Sequence, residues 1–186
     1  MRLTALVSVA LLAAPVWAET PLPFNLGGAF DLVDHTGAPR SQVDPEGQAQ
    51  LLFFGYANCQ EICSAALPLM AEIVDTVEAA GQDLRPVMIT VDPARDTVET
   101  LGPALTQHHA EFVGLTGSDA ALQVAYDAFS VESEEIFFDP EHGPVYSHGS
   151  FLYLLDGEGT FLTLIPPILS PSEASRIVLK YQTGAS

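Results

Sequence analysis

Apolar and polar positions fall in blocks along this chain, and the spacing within the blocks switches between that of a strand and that of a helix. The continuous apolar run 51–56 predicts a buried strand, and residues 87–91 predict a second one. Between them, apolar residues recur at helical spacing over 65–80, and the pattern ends at Gly81. Residues 112–115 predict a short third strand. The first half of the chain therefore predicts alternating strands and helices.

The second half continues this alternation. Ser118 and Ser170 are typical helix N-caps, so we expect helices directly after each of them. Two apolar runs flank the turn sequence 156–159 and predict a β-hairpin. Strands and helices in this order predict an α/β fold of three layers, with a central mixed β-sheet and flanking helices. A thioredoxin-like sheet is the simplest architecture of this kind.

The first 18 residues have the features of a cleavable secretory signal. They carry one positive charge, at Arg2, then an apolar stretch over 3–14 and the sequence Val16-Trp17-Ala18 before Glu19. The apolar stretch is shorter than the roughly 20 residues that span a bilayer, so a retained membrane anchor is the less favoured alternative. We expect an exported, soluble protein of a bacterial periplasm, with 19–29 as a flexible leader and 30–186 as one domain.

The composition is strongly acidic and restricts the classes of partner. The chain has 24 Asp and Glu residues against 6 Lys and Arg, a formal net charge of −18. A surface of this charge repels a phosphate backbone, so nucleic acid is excluded as a partner. Self-repulsion favours a monomer. The charge serves solubility, or it steers the protein toward a basic partner or a metal cation.

Cys59 and Cys63 are the only two cysteines, and they follow the first buried strand. If a helix begins near Cys59, the spacing of four residues puts both thiols on one helical face. Two thiolates suit Cu(I) or zinc, although a third ligand is then needed. The same spacing permits a disulfide. A metal site, a redox-active pair and a plain structural disulfide are therefore all compatible with this motif.

Five histidines could supply a third ligand. His35 lies beside a turn predicted at Thr36 and Gly37. His108 and His109 end a helix predicted from Thr97 to about His109, so we expect these three histidines to have solvated surface roles. His148 precedes a predicted strand, in a loop that a sheet can hold beside the end of another strand. It is therefore the preferred candidate, and His142 in the same segment is the reserve.

Three separated motifs resemble the Sco/SenC family: FGYANCQEIC at 54–63, TVDPARDT at 90–97, and His148 followed by YLLD at 153–156. The resemblance extends over about 30–181. It implies a thioredoxin-like fold and a site for one copper ion, Cu(I) or Cu(II), made of Cys59, Cys63 and His148. Family members are assembly factors that deliver copper to the binuclear copper (CuA) site of cytochrome c oxidase, or reduce its cysteines.

The chain departs from the usual family pattern beside each ligand. Gln60 and Ser64 stand where family members usually have proline, and Glu61 stands where aspartate is common. Ser147 and Gly149 flank the histidine, whereas an acid and a serine are common there. The surroundings that orient the imidazole, and the metal affinity with them, are therefore expected to differ.

Copper handling is the preferred function, with the copper-site subunit of cytochrome c oxidase or another copper chaperone as partner. The alternative is a thiol-disulfide oxidoreductase, in which Cys59 or Cys63 attacks a partner's disulfide and a thiol reductant protein restores the pair. A peroxiredoxin-like peroxidase is disfavoured, because Tyr56 and not threonine stands three residues before Cys59.

Two acidic groups have other expected roles. Asp92 and Asp96 are expected to form a turn followed by a helix N-cap. The segment 130–147 is acidic and lacks strong periodicity, so we expect a mobile loop that closes over the copper, with its acids meeting a basic partner.

Overall fold

The computed structural model describes residues 26–59 and 62–184, so the predicted secretory signal and most of the predicted leader lie outside the described residues. These residues form nine strands and four helices. In chain order they are β1 Leu32–Asp34, β2 Pro39–Arg40, β3 Ala49–Gly55, α1 Ile62–Ala79, β4 Leu84–Thr90, α2 Val98–Thr106, β5 Val113–Thr116, α3 Asp119–Phe129, β6 Glu134–Asp139, β7 Gly143–Ser147, β8 Leu152–Leu155, β9 Phe161–Ile165 and α4 Pro171–Thr183.

Seven strands form one mixed sheet in the order β2-β1-β5-β4-β3-β8-β9. Strands β3, β4 and β5 run parallel to one another, and the remaining pairs in this sheet are antiparallel. The carboxyl ends of parallel strands meet at one edge of a sheet. The loop that carries Cys59 and the loop after β4 therefore lie side by side. This sheet and its flanking helices are the predicted α/β, thioredoxin-like fold.

Successive side chains of β3 pack against different segments on the two faces of the sheet. Phe54 contacts the rings of Phe129 and Tyr126 in α3, at centroid distances of 5.5 Å and 6.0 Å. Because successive side chains of a strand point to opposite faces, Phe53 lies on the other face. There its ring contacts His148 at 5.7 Å. Helix α1 packs against α4. The buried strand β3 thus supports the segment around His148.

Several local predictions are confirmed. Ser118 and Ser170 cap α3 and α4 through their side-chain oxygens, which accept from the backbone N–H of Ala121 and Glu173. The turn at 156–159 joins β8 to β9 as an antiparallel hairpin.

Two local predictions are wrong. Helix α2 begins after Thr97, whose backbone N–H donates to the hydroxyl of Thr100 at 2.8 Å, so Asp96 is not its N-cap. The segment predicted as a loop contains a second, two-stranded antiparallel sheet, made of β6 and β7. Apolar side chains on both faces of β6 hide the alternation that would have indicated a strand.

In the part of the chain that the structure describes, no helix has the length and apolarity needed to cross a membrane.

Candidate metal centre

Cys59 lies in a tight turn that follows β3. Its backbone N–H donates to the carbonyl oxygen of Tyr56 at 3.2 Å, and the residue is buried, with 7% of its surface exposed. Helix α1 begins at Ile62, so Cys59 precedes the helix and Cys63 lies in its first turn. The side chain of Cys63 lies outside the described part of the structure.

The buried carboxylate of Asp96 connects the Cys59 loop to β4. One of its oxygens accepts the backbone N–H of Ala57 at 3.0 Å and the hydroxyl of Thr90 at 2.7 Å. The hydroxyl of Thr90 in turn accepts the backbone N–H of Asp92 at 2.9 Å. Burial raises the pKa of Asp96, although both hydrogen bonds favour the charged form. Asp96 therefore holds the loop of Cys59 in place.

His148 is the histidine that the structure brings beside this loop. Its ring contacts the ring of Tyr56 edge to face, with centroids 5.8 Å apart, and Tyr56 lies three residues before Cys59. Nδ1 of His148 lies 3.0 Å from the carbonyl oxygen of Gly149. Because a carbonyl oxygen can only accept, this contact is a hydrogen bond in the tautomer that carries its proton on Nδ1, and in that tautomer the lone pair is on Nε2. Metal-binding imidazoles commonly have this arrangement.

The reserve candidate, His142, also lies near the Cys59 loop. It is exposed, in the turn between β6 and β7, where its backbone N–H donates to the carboxylate of Asp139. It lines a small cavity of about 100 Å³ together with Asn58 and Tyr56. The structure thus brings both candidate histidines to this edge of the sheet.

The other three histidines are engaged elsewhere. Nδ1 of His35 accepts the backbone N–H of Gly114 at 3.1 Å, so this residue connects its turn to β5 and its expected solvated role is wrong. His109 lies 3.4 Å from the carboxylate of Asp75, and the ring of His108 contacts Phe112 after the end of α2.

Arg95 attaches the hairpin of β6 and β7 to this site, a role that the sequence analysis missed. Its guanidinium pairs with the buried Asp92 and donates to the carbonyl oxygens of His142 and Pro144, the latter at 2.9 Å. The same group lies 5.7 Å from the centre of the Tyr56 ring. The available signal was an arginine in the loop after a buried strand, between Asp92 and Asp96.

Among the side chains that the structure describes, no three His, Cys, Asp or Glu residues are grouped so that they could hold a metal ion. The side chain of Cys63 is not in that set. The preferred donors among the described residues at this edge are the sulfur of Cys59 and the imidazole of His148, with His142 as the reserve. A second thiolate from Cys63 would complete a set of two sulfurs and one nitrogen, which suits copper.

Fold and site together define a thioredoxin-like protein with a cysteine pair and a histidine at the carboxyl edge of its parallel strands. The family model of SCO1/SenC matches residues 18–183. The chain belongs to this family.

Relatives and solved structures with Sco names agree with this assignment to the family. The chain is 35% identical over 151 residues to an SCO2-like protein of Rickettsia felis, an alignment that covers 80% of this chain and 73% of the relative. It is 32% identical to the human mitochondrial SCO1 homolog over 74% of this chain and 46% of that protein. The crystal structure of Arabidopsis thaliana ScoI with copper bound superposes with a TM-score of 0.80 at 26% identity, over 86% of this chain and 99% of that one. Yeast Sco1 with copper bound gives 0.78 at 27% identity, over 87% and 91%.

Proposed function

We propose that this protein is a periplasmic copper metallochaperone. It holds one copper ion through Cys59, Cys63 and His148, and it takes part in assembly of the CuA site of cytochrome c oxidase. Membership of the SCO1/SenC family and the copper-bound structures of its relatives support this proposal. The recipient is the oxidase subunit that carries the copper site, or another copper chaperone.

The orientation of His148 is the observation that carries the proposal. The contact of Nδ1 with the Gly149 carbonyl oxygen favours the tautomer protonated on Nδ1, and the rings of Phe53 and Tyr56 contact the imidazole. A histidine fixed in this way presents Nε2 as a ligand with little loss of side-chain freedom on binding. A dithiol reductase does not need such a histidine.

The copper is the cargo, and the chain's own residues govern its exchange. Thiolates bind Cu(I) well, and the imidazole adds a third donor that also suits Cu(II). Exchange requires that a recipient's ligands can replace these donors one at a time.

Thiol-disulfide exchange is the second candidate function. The placement of Cys59 in the loop before α1 and of Cys63 in the first turn of this helix favours it, since reactive cysteines are common at helix N-termini. In this reaction one thiolate attacks a disulfide of the partner, the partner's second sulfur leaves as a thiolate, and the other cysteine resolves the mixed disulfide. A thiol reductant protein then restores the pair.

Copper titration of the reduced protein separates the two functions. The variants are His148→Ala and Cys59→Ser, and His108→Ala is the matched control because its ring lies elsewhere in the structure. We expect one copper per chain, bound tightly by the parent and the control and at least about tenfold more weakly by both site variants, a loss of one ligand's interaction. Weak binding that is indifferent to His148, together with a readily cycled disulfide, would instead support the oxidoreductase.

A further inference from the structure

Strand β6 exposes three consecutive large apolar side chains. Ile136, Phe137 and Phe138 have 61%, 52% and 64% of their surface accessible. In the described chain β6 pairs only with β7, so neighbouring side chains reach solvent on both faces of a two-stranded ribbon. Exposed apolar groups of this size are unfavourable in water unless another molecule covers them. We call these three residues the apolar ridge.

The apolar ridge belongs to a hairpin that is attached beside the candidate metal centre. Arg95 donates to two main-chain carbonyls of the hairpin, and the ring of Tyr146 in β7 contacts that of Tyr56 at 5.5 Å. Strand β7 ends at Ser147, directly before His148. A partner bound to the ridge would therefore lie next to the imidazole and to the Cys59 loop.

Charge indicates what kind of partner fits. Within 132–141 the sequence has no Lys or Arg, and the acidic residues of this segment flank the ridge in the sequence on both sides: Glu132, Glu134, Glu135, Asp139 and Glu141. Arg95, the cation that anchors the hairpin, is paired with Asp92. A complementary surface has an apolar centre and a rim of Lys and Arg. A second copy of this chain, with its net charge of −18, does not offer one.

We propose that the apolar ridge is the docking surface for the protein that receives the copper, and that this recipient presents an apolar patch ringed by basic side chains. The inference rests on the proposed function, since it names the partner surface used at the same site. The apolar ridge contacts the apolar patch of the recipient, and the acidic residues that flank the ridge attract the basic side chains around that patch. The attachment of the hairpin through Arg95 places the copper ligands next to this contact.

The test measures binding to the soluble domain of the oxidase subunit that carries the binuclear copper site, taken from the same organism. The variant Ile136→Ser/Phe138→Ser removes most of the ridge and leaves Phe137, which faces the small cavity beside Asn58. Ile168→Ser is the matched control, because Ile168 is 90% exposed and lies before α4. A second variant, Glu134→Lys/Glu141→Lys, reverses two rim charges without touching the apolar side chains.

We expect all variants to bind copper as the parent does, within about twofold. The ridge variant is expected to dock at least about tenfold more weakly, as for loss of a central apolar contact. The charge-reversed variant is expected to dock more weakly at low salt and to lose most of the salt dependence. The control is expected to match the parent.

Equal docking by the parent and both hairpin variants overturns the inference. A dimeric parent and a monomeric ridge variant also overturn it, because the ridge would then serve self-association. Either result leaves the proposed function intact if the parent binds copper. A parent that binds no copper, whatever the docking result, refutes the proposed function instead.

Discussion

The side chain of Asp96 accepts the backbone N–H of Ala57, a residue 39 positions earlier in the chain and two positions before Cys59. The same carboxylate oxygen accepts the hydroxyl of Thr90 at the end of β4. One buried carboxylate thus connects the loop of the first candidate ligand to the middle of the sheet. Its removal should act on the metal site without touching a ligand.

Asp96→Ala is therefore expected to loosen the Cys59 loop. Two hydrogen-bond donors lose their acceptor, so the free energy of unfolding should fall by about 1–3 kcal/mol. Amide hydrogen exchange at Ala57 should become faster, and copper affinity should fall. Asp96→Asn keeps a carbonyl oxygen and should preserve slow exchange at Ala57. Equal exchange rates in the parent and in Asp96→Ala would show that the carboxylate does not hold this loop.

The same residue predicts a pH dependence of stability. Burial raises the pKa of Asp96 in the folded protein, so the folded state keeps this proton to a higher pH than the unfolded state. The contribution of Asp96 to stability is therefore greatest at a pH below the unfolded pKa of about 3.9, and it decreases as pH rises through the folded pKa.

Asp96→Asn does not titrate, which makes it the reference for this effect. Urea unfolding of both proteins between about pH 4 and pH 7 should show parent stability, relative to the variant, falling as pH rises. Other carboxylates contribute equally to both proteins and cancel in the difference. A difference that is constant, or that grows with pH, would contradict the raised pKa.

Gly143 begins β7 with a backbone φ of +83°, and a Cβ added there would overlap a guanidinium nitrogen of Arg95. Gly37 has nearly the same φ, +85°, but a Cβ there would meet nothing within 4 Å. Gly37→Ala should therefore show the backbone cost alone, about 1–2 kcal/mol. Gly143→Ala should lose more stability than this.

Gly143→Ala should also displace Arg95, which thermal unfolding alone would not reveal. Hydrogen exchange in β6 and β7 reports it, and exchange there should rise in Gly143→Ala and not in Gly37→Ala. Equal losses of stability with unchanged exchange would mean that the hairpin adjusts to the added methyl group without releasing its anchor.

Arg95→Ala tests the anchor itself. The change leaves the buried carboxylate of Asp92 without its cation, so we expect a loss of about 3 kcal/mol in the free energy of unfolding. Hydrogen exchange should rise throughout the hairpin. Arg176→Ala, at an exposed position of α4, is the matched control. It should change the free energy of unfolding by no more than about 0.5 kcal/mol and leave hydrogen exchange in the hairpin unchanged. Adding Asp92→Asn should restore part of the stability but not the protection of the hairpin.

The buried strands and the capped helices were predictable from the sequence because each one has a local cause. The continuous apolar run of β3 reflects burial on both faces, and Ser118 and Ser170 cap the helices that follow them through their own side chains. The family motifs then indicated Cys59, Cys63 and His148 as ligands. The structure brings His148 to the loop of Cys59, and the full ligand set stays a prediction.

The features that were missed depend on contacts between distant segments. Asp96 has the sequence context of an N-cap, but its acceptor role is fixed by Ala57 and Thr90, which only the folded sheet brings close. The hairpin of β6 and β7 was hidden because Ile136, Phe137 and Phe138 form a run instead of alternating with polar residues. Propensity alone cannot distinguish a strand of this kind from an irregular loop.

The hydrogen bonds from Arg95 reach main-chain carbonyl oxygens of the hairpin and not its side chains. The side chains of β6 therefore take no part in the hydrogen bonds by which Arg95 attaches the hairpin to the sheet. New recognition sequences could replace the outward residues of β6 while the fastening persists, as loops are exchanged on an antibody framework. The hairpin is accordingly a natural place to redirect this scaffold toward a different recipient.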